Sequence, residues 1–412
     1  LSFKLSAQDP SDSLKKRIDR FSGREKFDAT LDYVRSIYLD NIDSALFYTE
    51  KAIAIGVTLE DSIMLSDGYR IKGLILIRSG RIYEAMKILL ECDKINRKLN
   101  YAENDKKVYT SLGVAHGRLG EYDKSIFYHQ KAFNASIKES DITYAGISLN
   151  NIGYVHYKIK NYSLAEKFFS QSITYQLKLP KEEQADLQRG YANLGLSIAY
   201  QNRIIEGTKY IKRAIKECEN NGCTPDIRLE AIAALGICYF LESNFEKAKE
   251  VLDNVYTEFE KRGDKRFMCE VLVFQIRIAI RKHEYGEAEN LIAKGERLAV
   301  EGKFAQQIMD IARERIELDI QTGNVSMKLA HQKRYLQLRD SVVGNEVTMG
   351  IIGKTNQILR AENTEYSDSN NFGLMVLLFI VTATASLILI VYIRYLKLKR
   401  LNQQAIAIIK ND

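Results

Sequence analysis

The chain has 412 residues, 46 % of them apolar and 27 % charged, with only three prolines; this is ordinary globular material able to bury a large core, and it excludes a disordered polypeptide. The formal net charge of +7 excludes nucleic acid more than it invites it. Arg394, Lys397, Lys399, Arg400 and Lys410, against Asp412, crowd into residues 394–412 and leave the rest close to neutral.

The opening LSFKLSAQDP reads as the tail of a secretory signal, with Leu5, Ser6 and Ala7 as a small-residue cleavage site and Gln8 as the mature start. The alternative is the unstructured beginning of a cytosolic protein. Residues 1–24 are assigned to this remnant and an N-terminal segment.

From residue 25 to 340 one unit recurs, clearest in Ser111–Phe133, SLGVAHGRLGEYDKSIFYHQKAF. It predicts two short helices. The first carries Leu112 and Gly113, the connection runs through Gly120, Glu121 and Tyr122, and the second places Ser125, Tyr128 and Ala132 on one face. With the glycine as phase marker, equivalent positions are Tyr33, Gly73, Gly113, Gly153, Gly195, Gly236, Ile276 and, more weakly, Leu318, a period of 40 to 42 residues. A small residue recurs as Ala45, Ala85, Ser125, Ala165, Gly207, Ala248, Ala288 and Ala330. A larger apolar one precedes it as Ile42, Ile82, Tyr122, Tyr162, Phe245 and Tyr285. A fixed period in this range, with a helix-turn-helix unit, predicts an all-α solenoid of about eight hairpins. Apart from Pro10, the prolines, Pro180 and Pro225, fall between repeats, where they interrupt no helix.

Five cysteines, Cys92, Cys218, Cys223, Cys238 and Cys269, match no zinc or haem spacing. Cys218 and Cys223 flank an Asn-Asn-Gly turn and are either a small disulfide loop or two unpaired thiols.

Beyond the eighth unit a helical stretch is expected from Ser326 to about Ala361, bent or interrupted by Gly344, Gly350 and Gly353, which leads into a connector and polar linker over 341–371. Its apolar positions, from Leu329 and Leu336 to Ile358, suit a seam against the last repeat or a homodimer through the connector. Phe372–Ile393, FGLMVLLFIVTATASLILIVYI, is 22 residues without a charge, enough for about 30 Å of hydrocarbon, with Tyr392 and Tyr395 at one interface. The basic residues after it predict a cytoplasmic tail over 394–412 and repeats outside the cytoplasm, in a single-pass plasma-membrane protein.

The Leu-Gly pair, the turn aromatic, the small residue and the later aromatic resemble the tetratricopeptide repeat (TPR). The longer period is similar to the long-repeat variety of kinesin light chains and bacterial peptide-sensing TPR regulators. The resemblance covers about three quarters of the chain and implies a right-handed superhelix with the first helix of each hairpin on its concave wall. The whole arrangement, with the Tyr335, Leu338, Arg339, Asp340, Ser341 connector and the apolar span, resembles the membrane-anchored TPR sensors of Bacteroidetes. In those a histidine kinase or helix-turn-helix output domain often follows the membrane span.

In TPR proteins that read peptides, an asparagine two residues before the phase glycine hydrogen-bonds the ligand backbone; Asn151 and Asn193 match it here. The positions expected to face the same groove are Arg70, Arg78, Lys107, Arg118, Lys158 and Arg189, with Tyr154, Tyr157 and Tyr200 between them. A basic groove set with aromatics suits a peptide carrying carboxylates. His116 and His156, at one repeat position, are read as packing residues, and neither a metal site, a cofactor nor a catalytic constellation is expected. The function expected is therefore a membrane-anchored, extracytoplasmic module that binds a peptide or protein partner and passes a signal to a cytoplasmic output domain. A static membrane-tethered scaffold for complex assembly is the alternative.

Overall fold

Each hairpin is closed by the same local chemistry at both ends. After the first helix of a unit, the chain turns through one left-handed residue at a constant distance from the phase marker: Gly80, Gly120, Lys160, Asn202, Ser243 and His283 all have positive φ. At Gly120 the amide returns to the Gly117 carbonyl at 3.1 Å, and the Glu121 amide to that of His116 at 3.0 Å. These two bonds satisfy carbonyls that the helix end would leave bare. Helix starts are capped at once where the sequence supplies a short acceptor: Asn161 and Asn244 ahead of second helices, and Asp61, Asp141 and Asp264 ahead of the first helix of the next hairpin, each accept from a first-turn amide. Two 17-residue helices with such three-residue turns fill the 40-residue repeat.

The structure, a computed structural model, describes residues 10–342 except 39, 40, 185 and 303. Among them are 17 α-helices, one 3-10 turn and no strand. A short helix, α1 (Pro10–Ile18), packs against the first hairpin through Ile18. Eight hairpins follow. Their first helices are α2 (Gly23–Ile37), α4 (Ser62–Arg78), α6 (Ala102–Arg118), α8 (Ile142–Lys158), α10 (Leu187–Ala199), α12 (Pro225–Leu241), α14 (Lys265–Arg281) and α16 (Ala305–Thr322). Their second helices are α3 (Ile42–Thr58), α5 (Ile82–Leu99), α7 (Tyr122–Lys138), α9 (Tyr162–Gln176), α11 (Ile204–Asn221), α13 (Phe245–Lys261), α15 (Tyr285–Glu301) and α17 (Val325–Val342). Pro180 sits in the longer link before α10, and Pro225 begins α12, where its missing amide proton costs nothing.

The phase marker faces the second helix of its own hairpin, always against the residue at the same offset. A β-carbon at Gly73 would stand 2.6 Å from Leu89, at Gly113 2.5 Å from His129, and at Gly153 2.8 Å from Phe169. At Gly195 it would meet the backbone oxygen of Gly207, so α10 and α11 touch main chain to main chain. The small residues Ala45, Ala85, Ala165, Ala248 and Ala288 are fully buried on the other side of this contact. Ser125 adds a bond, its Oγ donating to the Gly113 carbonyl at 2.7 Å. The eighth unit departs from the pattern. Ala330 is exposed, and α17 faces α16 instead through His331, whose Nδ1 meets Asp319 at 2.6 Å, and Tyr335, which takes a bond from Arg313.

Consecutive first helices also pack on one another, from α4 to α16, which makes them the inner wall of the coil. The coil then meets itself. Arg78, at the end of α4, lies 3.9 Å from Asp226 and 3.7 Å from Asp264, at the starts of α12 and α14. Tyr122 donates to Gln306 on α16 at 3.0 Å. An open concave groove was the expectation; these contacts make it a channel walled on both sides.

The continuation of the connector past residue 342, the stretch Phe372–Ile393 and the basic tail lie outside the described residues. Among the described residues no helix is long and apolar enough to cross a membrane. Cys218 and Cys223 are bonded to each other across the end of α11, whereas Cys92, Cys238 and Cys269 are buried and free.

Candidate functional site

The inner wall is built from two columns of the repeat. One, early in the first helices α4 to α14, reads Asp67, Lys107, Ile147, Arg189, Glu230 and Glu270; the other, at the ends of α4, α6, α8 and α10, reads Arg78, Arg118, Lys158 and Tyr200. Because successive helices stack side by side, each column becomes a stripe along the channel. After Asp67 on α4, the first stripe is basic on α6 and α10, with apolar Ile147 between them on α8, and acidic on α12 and α14. The sequence-predicted groove was basic throughout; the acidic half was missed. Its signal was present, since Glu230 and Glu270 occupy the same repeat position as Lys107 and Arg189.

Closure brings the early and late hairpins face to face. Lys158 shares its surroundings with Glu270 of α14, Asp310 of α16 and the phenols of Tyr154 and Tyr122. Burial works against its charge, but these groups outweigh that and hold the ammonium well above the usual lysine range. Arg189 is paired with Asp186 at 2.7 Å and Glu230 at 3.2 Å. Arg266, opposite, is paired with Glu270 at 2.8 Å. Arg78 is engaged in the closing contacts described above. Arg118 is different: its Nη1 donates to the Ile77 carbonyl at 2.5 Å, and burial, followed by repulsion from Arg266, pushes its pKa down to about 9. Arg70 and Lys107 form a second cationic spot near Asp67, where burial and then Arg70 pull Lys107 below its ordinary range.

The aromatic residues form one connected cluster. Tyr157, Tyr162 and Tyr200 pack on each other, with Tyr162 and Tyr200 stacked at 4.8 Å, and serve as part of the wall. Burial raises the Tyr200 hydroxyl to about 12. Tyr154 stacks on Tyr157 at 6.2 Å, lies among Lys158, Glu270 and Arg266, and keeps 37 % of its surface accessible.

The two asparagines also part company. Asn193 Nδ2 donates to Asn150 Oδ1 at 3.2 Å and ties α10 to α8. Asn151, half-buried on α8, has no hydrogen-bond partner for its amide among the described residues. At the far end of the channel a cleft is lined by Phe240, Arg277, Arg313, Glu314 and Tyr335, with Arg277 held by Glu314 at 2.6 Å.

The histidines do not converge. His116 is bonded through Nδ1 to Glu121 at 2.5 Å and stacks on Tyr128. His156 stacks on Phe168 in the core, and burial lowers its pKa to about 4. Among the described residues no group of three or more His, Cys, Asp or Glu side chains is placed to hold a metal ion.

This architecture defines a TPR-like helical repeat protein, and comparison with known proteins agrees. The solved structure of a Rap protein complexed with competence and sporulation factor superposes with a TM-score of 0.60 over 83 % of this chain and 95 % of that one, at 14 % identity. The apo form of the quorum sensor NprR from B. thuringiensis gives 0.53 over 79 % and 91 %, at 12 % identity. NprR in complex with its cognate peptide NprX gives 0.50 over 65 % and 80 %, also at 12 %. In sequence, the chain is 19 % identical over 214 residues to Protein KINESIN LIGHT CHAIN-RELATED 2 of Arabidopsis thaliana, which covers 51 % of this chain and 32 % of that protein, about a third of its length. No family model matches the chain.

Proposed function

We propose that this chain is a membrane-anchored, extracytoplasmic TPR-like module that binds a peptide or a short protein segment in its channel and relays occupancy across the membrane. The observation that carries the binding half is the lumen itself, where the unpartnered Asn151 amide and the accessible Tyr154 ring stand between charged stripes. An amide offers both a donor and an acceptor to an extended main chain, and a tyrosine offers contact area at low conformational cost. The solved structure of NprR, which has a similar fold, in complex with its cognate peptide supports the reading.

Location outside the cytoplasm is supported by the Cys218–Cys223 bridge, since reducing compartments disfavour disulfides, and by the uncharged 22-residue stretch Phe372–Ile393. Relay is supported by the closing contacts: a ligand that shifted Tyr122 against Gln306 would move α16, and with it α17, the last described helix before the connector. Such a ligand acts only through a difference in affinity for the two arrangements.

The binding half is tested by capture of a random peptide library on the purified full chain. Asn151→Ala with Tyr154→Ala is expected to abolish capture while moving the melting temperature by no more than a few degrees; unchanged capture overturns the site. Orientation is tested with protease on intact spheroplasts, where digestion of the repeats and protection of the basic tail is expected. The reverse pattern removes the extracytoplasmic reading.

A further inference from the structure

The inner-wall cations can be sorted by whether the channel supplies their counter-charge. Arg189, Arg266 and Arg277 each have a carboxylate within 3.2 Å. Lys107 and Arg118 have none within 4.0 Å among the described residues, and a second cation stands near each, Arg70 by Lys107 and Arg266 by Arg118. Asp67 and Glu103 near the first, and Asp264 and Glu270 near the second, are beyond ion-pair reach and do not make good the lost solvent. A half-buried cation in this condition gains from any anion brought to it.

Both residues belong to α6 and are eleven positions apart. Eleven residues is about three helical turns, so they lie on one face, separated by about 16 Å along the axis. By repeat register, Asn151 and Tyr154 of the neighbouring α8 fall between the two levels. An extended chain advances about 3.3 Å per residue, so about five residues span the gap.

We infer that the channel selects an extended acidic segment carrying two carboxylates about five residues apart, one seated at Lys107 with Arg70 and the other at Arg118 with Arg266, its main chain passing Asn151. This deepens the peptide-binding reading and rests on it. The carboxylates supply the charge-assisted bonds that the wall leaves unmade, and their spacing, rather than the intervening side chains, sets the specificity. Because the seats are only half-buried, affinity falls as ionic strength rises.

The test titrates acetyl-Asp-(Ala)n-Asp-amide peptides, n from 1 to 7, into the purified full chain by calorimetry. Binding is expected to be tightest near n = 4, and replacing either aspartate by asparagine should weaken it about tenfold. Lys107→Gln or Arg118→Gln should cost the same factor, with no further loss when the matching aspartate is also replaced. As a second measurement, Arg118→Glu should regain affinity for acetyl-Asp-Ala-Ala-Ala-Ala-Lys-amide. Affinity indifferent to spacing, or untouched by both substitutions, overturns the inference. If peptides are retained through Asn151 and Tyr154 with no preference for acids, the two-carboxylate rule fails and the channel reading stands. If no peptide is retained, both fall.

Discussion

Tyr122 donates its phenolic hydrogen to Gln306 Oε1 at 3.0 Å, joining residues 184 positions apart in the chain and the third hairpin to the eighth. The Arg78 contacts with Asp226 and Asp264 and the close approach of Gly80 to the Gly302 carbonyl tie early repeats to late ones in the same way.

This closure yields a first prediction. Tyr122→Phe alone should cost about 1 kcal/mol, the net worth of one buried hydrogen bond. Combined with Arg78→Ala it should open the coil and enlarge the radius of gyration in small-angle scattering. An unchanged profile for the double variant would show that stacking alone sets the curvature.

A second prediction concerns the phase glycines. Gly73→Ala presses on the Leu89 side chain, which can rotate away, whereas Gly195→Ala meets the Gly207 carbonyl, which cannot. Overpacking costs about 1–3 kcal/mol, and Gly195→Ala should fall at the upper end, Gly73→Ala at the lower. Gly286→Ala, with nothing within 4 Å, should be neutral or stabilising by about 0.5 kcal/mol. Because an array of repeats need not melt in one step, the check is the ordering of melting temperatures rather than a two-state free energy. A Gly195→Ala variant as stable as the parent would contradict the backbone contact.

The turns supply a third. Ser243 holds φ near +60 without the freedom of glycine. Ser243→Gly should therefore raise stability by about 1 kcal/mol, and Gly263→Ala, at φ +67, should lower it by a similar amount. Differential scanning calorimetry would read both signs.

The fourth is a pH dependence. Burial lowers His156 to about 4 and His129 to about 3, so the unfolded chain takes up protons that the native core refuses. Stability is complete above the ordinary histidine range near 6.5 and is lost as the pH falls toward 4. The loss through His156 alone is roughly 3 kcal/mol at about 1.4 kcal/mol per unit. Melting followed from pH 7 to 4 should decline less steeply in His156→Leu than in the parent. Parallel curves would mean that His156 gains a proton in the native state as easily as it does in the unfolded one.

Much of the local architecture was legible in the residues themselves. Gly113 against His129, Ser125 against the Gly113 carbonyl and the left-handed turn at Gly120 all lie within one hairpin, so a 40-residue period exposes them. The eighth unit was the limit of that reasoning: the expected small residue Ala330 faces outward, and α17 rotates to set Tyr335 against Arg313. The site was legible in part. Every expected groove residue lies on a first helix of a hairpin or, for Tyr200, at its C-cap, but side-chain identity could not say which were already neutralised. Arg189 and Arg78 have their counter-ions inside the protein, Asn193 is occupied by Asn150, and Asn151, Lys107 and Arg118 are left to face the lumen.

The sequence by itself determined the repeating unit, because helix length, turn and interhelical contact depend on residues less than one repeat apart. Only the tertiary structure decided that the coil returns on itself at Tyr122 and Gln306, and which charges face each other across the lumen. Curvature is the sum of small rotations from one hairpin to the next, and no single residue records that sum.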